Sequence, residues 1–318
     1  MNDSINDGFS GARNKKSELR FEKIVPRRYF SLLKEGSDEL RCFKIPDCLT
    51  REDHVDIACP DGRFMLQADI YYKDRKASGK RPCIIFMHDW AAGKNPAICG
   101  DRQGCYFAYN GFVFITLYYR PPKYSPCPAS IEDLKICARW LRSRAEEYAI
   151  DEKMIIAFGS SAGSQLAYMA AATNGVAKFE NTCGFNMYSS DINMVLMHAA
   201  LCDILHDFKD SDMMHIILGS TYKENPGKYA EYSPVCNVKP SMPPVIIING
   251  DLDKTCSIGG ARALRDKLAA NGVKVELTEL SGRDHRSTGY PGDLFMKLEI
   301  YRDFILKNHI RENIENEQ

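Results

Sequence analysis

Short apolar runs alternate with amphipathic segments along most of the chain. Runs of four to eight apolar residues that are bounded by turn residues are typical of strands buried on both faces of a sheet. The sequence predicts buried strands of this kind, with the weakest at 195–197 and the others at 83–87, 112–117, 154–158 and 245–248.

The segments between these runs carry the period of amphipathic helices. Between residues 131 and 148, apolar side chains recur about every 3.6 residues, while the charged side chains fall on other faces. Residues 261–270 repeat this pattern and stop at Asn271-Gly272, a typical helix end. Because strands and helices alternate, the sequence predicts an α/β fold with a mostly parallel sheet, helices on both faces and right-handed crossovers.

The beginning of the chain departs from this alternation. Residues 1–54 are mostly polar at first and then carry only weak helical hints, which predicts a tail followed by a segment that either packs on the domain or covers it. From Val55, an extended stretch, an Asp61-Gly62 turn and an alternating apolar run predict a β-hairpin. We therefore divide the chain into the tail and cover segment, 1–54, and one folded domain, 55–318.

Two long segments fit neither pattern. Residues 173–193 and 203–243 are mixed in character and rich in Asn, Asp, Met and Tyr. Segments of this length without a clear period are usually functional loops or lids. We expect both of them to lie above the strand ends and to shape a binding pocket there.

Composition and charge narrow the range of partners. Apolar residues make up 44% of the chain and charged residues 26%, which is typical of a globular protein and excludes disorder along the whole chain. The 42 basic residues cancel the 42 acidic ones, so the molecule has no overall field that would attract nucleic acid or an anionic membrane. We expect a small-molecule partner; the oligomeric state stays open.

Targeting signals and cysteines indicate the compartment. No apolar run reaches the roughly 18 residues of a membrane span, and the first twenty residues lack the apolar core of a signal peptide. The twelve cysteines include no C-x-x-C pair, and most of them lie among apolar neighbours, so we expect reduced thiols and no metal site. These features predict a cytoplasmic protein.

A sharp turn with a central serine follows one of the predicted strands. Gly159, Ser161 and Gly163 form a G-x-S-x-G pattern between the buried run 154–158 and the helix-forming run 165–172. In a nucleophile elbow, a strand turns abruptly into a helix, glycines stand where side chains would clash, and the serine oxygen is exposed at the edge of the sheet. The helix start behind the serine favours developing negative charge.

A serine hydroxyl needs a histidine base, and the base needs a carboxylate to orient it. Both groups follow later strands in the chain. The strand at 245–248 leads to Asp251 and Asp253, and the strand at 273–280 leads to His285. The chain therefore supplies the order serine, aspartate, histidine, with two candidates for the acid.

These motifs resemble those of a known superfamily between about residues 55 and 308. They are similar to carboxylesterases of the α/β-hydrolase superfamily, close to the bacterial acetyl-esterase and dienelactone-hydrolase-like groups. The helix at 130–141 and the turn at 118–122 are also similar to elements of that family. The resemblance implies an α/β-hydrolase fold with small loop insertions over the active site. Its G-x-x-D element favours Asp253 over Asp251 as the acid.

The oxyanion loop departs from the family pattern. The resemblance implies that the backbone amides of Trp90 and Ala162 bind the oxyanion, but Asp89 stands where the family usually has glycine. A carboxylate that faced the oxyanion would oppose the charge that the site must stabilise. We expect Asp89 to point into the hydrogen bonds of its own loop, and His88 to be structural. The bulk of Trp90 predicts a small acyl pocket.

Together, these features predict a serine carboxylester hydrolase. In this interpretation Ser161 attacks the ester, His285 transfers the proton, Asp253 orients His285, and neither a metal nor an organic cofactor takes part. An amidase or peptidase of the same fold would use the same triad, and a hydrolase fold retained for ligand binding is a third hypothesis. The natural substrate is not fixed by the sequence.

Overall fold

The computed structural model describes residues 45–75, 79–89, 96–285 and 292–316. Within them, eight strands form one sheet. In chain order, the strands are β1 (Thr50–Ala58), β2 (Leu66–Tyr72), β3 (Arg81–Met87), β4 (Val113–Tyr118), β5 (Ile150–Ser160), β6 (Met194–His198), β7 (Val245–Gly250) and β8 (Val275–Leu280).

The strand order in the sheet is β1-β2-β4-β3-β5-β6-β7-β8. Strands β1 and β2 form the predicted antiparallel hairpin, and β2 is also antiparallel to β4. All the remaining neighbours are parallel. The predicted mostly parallel sheet is therefore confirmed, and the weak apolar run at 195–197 is a strand, β6, that pairs on both sides.

Helices connect the parallel strands. They are α1 (Pro96–Tyr109), α2 (Ala129–Ser143), α3 (Ala145–Tyr148), α4 (Ala162–Ala172), α5 (Ile204–Asp207), α6 (Asp212–Leu218), α7 (Pro226–Tyr232), α8 (Ile258–Ala270) and α9 (Asp293–Asn316), with short 3-10 helices at Ala177–Phe179 and Pro234–Cys236. The predicted helices near 131–148, 165–172 and 261–270 are present.

The core lies in two layers because successive residues of each strand face opposite sides of the sheet. In β5, Ile155 and Ala157 pack with helices α2, α4 and α8. Their neighbours Ile156 and Phe158 pack with α1 and α9 on the other face. Burial on both faces explains why these strands are continuous apolar runs in the sequence.

The sheet starts slightly before the predicted domain boundary. Strand β1 begins at Thr50, five residues before Val55, and Leu49 is already buried in the core. The hairpin is thus longer than its apolar pattern, because β1 lies at the edge of the sheet and most of its side chains are exposed or half-buried. Most of the proposed cover segment, up to residue 44, lies outside the described residues.

The expectation that residues 173–193 lie above the strand ends is wrong. The amide of Asn193 donates to the Ile155 carbonyl, and Met194 pairs with Ile156, so this segment enters β6 at its amino end. The physical reason is the direction of the crossover. Helix α4 starts beside the carboxyl end of β5 and runs back along the sheet, so the segment that follows it reaches the opposite edge.

Residues 203–243 do follow the carboxyl end of a strand, as predicted. They leave β6 after His198 and form the short helices α5, α6 and α7. The Cys127 amide donates to the Ile217 carbonyl over 2.8 Å, which links this segment to the loop that follows β4. Both loops therefore lie at the carboxyl edge of the sheet.

The sequence predicts that the chain has no membrane span and that its thiols are reduced. No described helix combines the length and apolar character needed to cross a bilayer. Every cysteine whose side chain the structure describes is a free thiol. Several of these thiols are fully buried, and burial raises the pKa of Cys83, Cys127 and Cys202 above that of an ordinary thiol.

A buried ammonium holds the segment after α4 against α2. Lys135 is fully buried, and its Nζ donates to the Thr173 carbonyl over 2.8 Å and to Glu180 over 2.7 Å. Burial lowers the pKa of Lys135, while Glu180 opposes the shift. This contact fixes the 173–193 segment at the amino edge of the sheet. The serine turn lies at the opposite end of α4.

We expect Lys135→Met to lower the free energy of unfolding by about 1–3 kcal/mol, because the Thr173 and Glu180 oxygens lose their donor. Urea denaturation of both proteins measures this difference. Lys153→Met is the control, since Lys153 is exposed. Equal unfolding midpoints for wild type and Lys135→Met would show that the contact does not stabilise the fold.

Candidate active site

The serine turn has the conformation of a nucleophile elbow. Ser161 joins β5 to α4 with φ +52° and ψ −123°, a region that a residue with a side chain rarely adopts. Two backbone hydrogen bonds hold it there: the Ser161 amide donates to the His198 carbonyl over 2.9 Å, and the Ser164 amide donates to the Ser161 carbonyl over 3.0 Å.

Both glycines of the motif are required by close backbone approaches. A Cβ at Gly159 would collide with the carbonyl of Gly163. A Cβ at Gly163 would in turn collide with the carbonyl oxygens of Met87 and His88. Helix α4 can therefore start directly against the ends of β5 and β3 only because neither position carries a side chain.

Ser161, His285 and Asp253 form a continuous hydrogen-bonded series. Ser161 Oγ lies 3.0 Å from His285 Nε2, and His285 Nδ1 lies 2.8 Å from Asp253 Oδ2. A carboxylate only accepts hydrogen bonds, so Nδ1 carries the proton and Nε2 is left to accept from the serine hydroxyl. The side chain of Asp253 is fully buried, whereas that of His285 is 26% exposed and open to a substrate.

The acid loop distinguishes the two candidate aspartates. The second carboxylate oxygen of Asp253 accepts the amides of Thr255 and Cys256, each over 2.8 Å. Asp251 is exposed and accepts the Gly282 amide over 2.7 Å. The structure therefore brings Asp253 to His285 and leaves Asp251 as a link between the two loops.

The loops that carry Asp253 and His285 are packed against each other. The Leu252 amide donates to the Arg283 carbonyl over 3.0 Å, and a Cβ at Gly250 would collide with that carbonyl. The Arg283 guanidinium also pairs with Asp293 in the first turn of α9. Backbone contacts and one ion pair thus fix the position of the segment between β8 and His285.

The described part of the oxyanion loop ends at Asp89, and Trp90 lies outside the described residues. Ala162 is buried and is the first residue of α4, directly after the serine. His88 is buried and stacks on Tyr119, whose hydroxyl donates to the His88 carbonyl over 2.9 Å. Burial lowers the pKa of His88, and these contacts agree with a structural role.

A second polar group lies behind the elbow, and the sequence analysis did not single it out. Ser160 Oγ lies 3.1 Å from His198 Nδ1, and His198 Nε2 lies 3.2 Å from Lys297 Nζ. His198 and Lys297 are both buried. The sequence did carry one indication of this group: His198 follows directly on the predicted strand that comes after the nucleophile strand in the chain.

Two groups of side chains among the described residues have the spacing of a metal site. One consists of Asp253, His285 and the buried thiol of Cys256, and burial raises the pKa of this thiol. The other centres on Asp69, which accepts the Tyr118 hydroxyl over 2.7 Å. In both groups, carboxylate oxygens already accept hydrogen bonds from neighbouring side chains.

The chain is similar to known esterases in sequence. It is 25% identical over 237 residues to esterase LipQ of Mycobacterium tuberculosis, an alignment that covers 71% of this chain and 55% of LipQ. The chain thus spans little more than half the length of this curated relative.

Solved structures share the fold. The truncated form of a carbohydrate esterase from gut microbiota superposes with a TM-score of 0.72 and 23% identity, covering 81% of this chain and 95% of that one. Esterase Est2 of Thermogutta terrifontis with bound propionate gives a TM-score of 0.68 and 23% identity, covering 82% and 94%. The same esterase phosphoramylated by tabun gives a TM-score of 0.68.

These likenesses show that the chain has the α/β-hydrolase fold. The match to a family model extends from residue 68 to residue 268, which is more than half of the chain and includes the serine turn and Asp253. The chain therefore belongs to the BD-FAE family.

Proposed function

We propose that this chain is a serine hydrolase of carboxylic esters, with Ser161 as nucleophile, His285 as general base and acid, and Asp253 as the residue that orients His285. The observation that carries the proposal is the series of two hydrogen bonds, 3.0 Å from Ser161 Oγ to His285 Nε2 and 2.8 Å from His285 Nδ1 to Asp253 Oδ2. LipQ and Est2, which this chain resembles, are both esterases.

The reaction follows from these positions. Ser161 Oγ attacks the ester carbonyl carbon while its proton passes to His285 Nε2. The carbon–oxygen bond to the alcohol then breaks, and the proton from His285 goes to the departing alcohol oxygen, which leaves an acyl group on Ser161. Water attacks this acyl group with His285 as the base, and the acid is released as Ser161 regains its proton.

The negative oxygen of the tetrahedral intermediate needs donors near the serine. We assign this role to the backbone amides of Ala162 and Trp90. Ala162 supports the assignment because it starts helix α4, where unpaired amides and the helix dipole favour negative charge. Asp253, buried and hydrogen-bonded on both oxygens, stabilises the positive charge that forms on His285 in the same step.

The proposed substrate is a small ester with a short acyl group. Trp90 is a bulky residue that the family resemblance assigns to the oxyanion loop, which supports a short acyl pocket, and Est2 was solved with bound propionate. Segment 203–243, which lies at the carboxyl edge, supplies the other wall. A cytoplasmic location is part of the proposal, and the free thiols support it.

We expect the wild type to react with a fluorophosphonate probe and to hydrolyse short nitrophenyl esters. Ser161→Ala removes the nucleophile, so labelling is abolished and kcat/KM falls by at least about 10⁴-fold. Gel fluorescence and release of nitrophenol measure the two effects. A folded wild type that neither labels nor turns over would refute the proposal and favour a ligand-binding protein.

The two loop aspartates give a matched pair of variants. Asp253→Asn should lower kcat by about 10⁴-fold, because an amide at this position favours the wrong tautomer of His285. Asp251→Asn should leave kcat near the wild-type value, since the amide oxygen can still accept from Gly282. Steady-state kinetics on one nitrophenyl ester compares them, and the reverse order of effects would assign the acid to Asp251.

The acyl pocket is tested by Trp90→Ala. Removal of the indole enlarges the space beside the acyl group, so the preferred nitrophenyl ester should shift from acetate or propionate towards longer acyl chains. The kcat/KM values across esters of increasing chain length measure this preference. An unchanged preference would show that Trp90 does not limit acyl length.

A further inference from the structure

Three polar side chains, two of them buried, form a hydrogen-bonded series directly behind the nucleophile. Ser160, the residue before the nucleophile, lies 3.1 Å from His198 Nδ1, and Lys297 Nζ lies 3.2 Å from His198 Nε2. Lys297 is 2% exposed and His198 is 6% exposed. Burial of a lysine and a histidine costs free energy unless both groups form hydrogen bonds.

The lysine determines which nitrogen of His198 carries the proton. An ammonium group can only donate, so His198 Nε2 must accept from Lys297. The proton of the neutral imidazole then sits on Nδ1 and points at Ser160 Oγ. Burial lowers the pKa of Lys297 to about 8, while Asp293 opposes the shift, so the ammonium form prevails at neutral pH. Burial also lowers the pKa of His198 and keeps its ring neutral.

His198 is bonded to the elbow through its backbone as well. Its carbonyl accepts the amide of Ser161, and it pairs with Ser160 across the parallel strands β5 and β6. The His198 ring thus contacts Ser160, and the His198 carbonyl holds the amide of Ser161, so the position of His198 bears on both residues of the elbow. A displacement of about 1 Å in a reacting group lowers the rate by about 100-fold.

The same helix turn also contacts the loop of the base. Asp293 and Lys297 lie four residues apart, on one face of α9. Asp293 pairs with Arg283, two residues before His285, while Lys297 contacts His198. One helical turn thus reaches both the nucleophile side and the base side of the candidate site.

We propose that Lys297 and His198 are positioning residues of the ester hydrolysis: the Lys297 ammonium fixes the Nδ1–H tautomer of His198, which donates to Ser160 and holds Ser161 in line with His285. This inference rests on the proposed function of Ser161. It assigns no contact with the substrate to Lys297 or to His198.

The first test compares Lys297→Met with Lys135→Met. Both lysines are buried, but Lys135 lies at the amino edge of the sheet with Thr173 and Glu180. We expect Lys297→Met to lower kcat by about tenfold or more with KM close to wild type, because positioning affects the reaction more than binding. Lys135→Met should keep the wild-type kcat. Equal kcat values for Lys297→Met and wild type would overturn the inference.

Ser160→Ala tests the other end of the series. This variant lacks only one oxygen atom, so we expect it to fold even if Lys297→Met does not. It should lower kcat in the same way. In the double variant, the two effects should not add, because either change alone interrupts the series. Two results would contradict the inference: a reduction of kcat in the double variant equal to the product of the two single reductions, or a wild-type kcat for Ser160→Ala.

A spectroscopic measurement is independent of turnover. In protein labelled with ¹⁵N-histidine, the ring nitrogens of His198 should show the Nδ1–H tautomer in the wild type, and this signature should change in Lys297→Met. The His198→Asn variant assigns the signals among the seven histidines. An Nε2–H tautomer in the wild type would refute the inference even if esters are hydrolysed. Absence of turnover with the expected tautomer would refute the proposed function instead.

Discussion

The backbone of Ser161 lies in a conformation that costs about 1–3 kcal/mol, and the rest of the candidate site depends on it. Strain of this kind persists only where the surroundings fix it. Here the strand end of β6 accepts the Ser161 amide, while the close approach of Gly163 to the carbonyl of Met87 sets the start of α4. The serine oxygen is thereby presented at the carboxyl edge of the sheet.

The position of His285 depends on contacts between loops. His285 follows β8 by five residues, and the backbone of Arg283 and the side chain of Asp251 tie this segment to the loop that carries Asp253. Since both loops leave neighbouring parallel strands, β7 and β8, they start from the same edge and need only short contacts to stay aligned. The parallel sheet also brings His285 to Ser161, which lies 124 positions earlier in the chain.

Local patterns predicted the strands and the elbow, because each is encoded within a few residues. The positions of Asp253 and His285 after later strands made them candidates to meet Ser161. The position of 173–193 depends on the direction of helix α4, which composition does not reveal. The contact between His198 and Lys297 joins residues 99 positions apart, and no short motif marks it. The choice of Asp253 over Asp251 came from a family resemblance, since both follow the same strand.

The carboxyl edge also has to satisfy backbone groups where the strands end, because buried amides and carbonyls without partners are costly. Buried side chains supply these partners. Asn249 accepts the Ala200 amide and donates to the Cys256 carbonyl over 3.1 Å, and Ser164 Oγ accepts the Leu201 amide over 2.9 Å. The chain can therefore leave β6 and β7 as loops without losing hydrogen bonds. Buried polar side chains at this edge therefore allow irregular segments to surround Ser161.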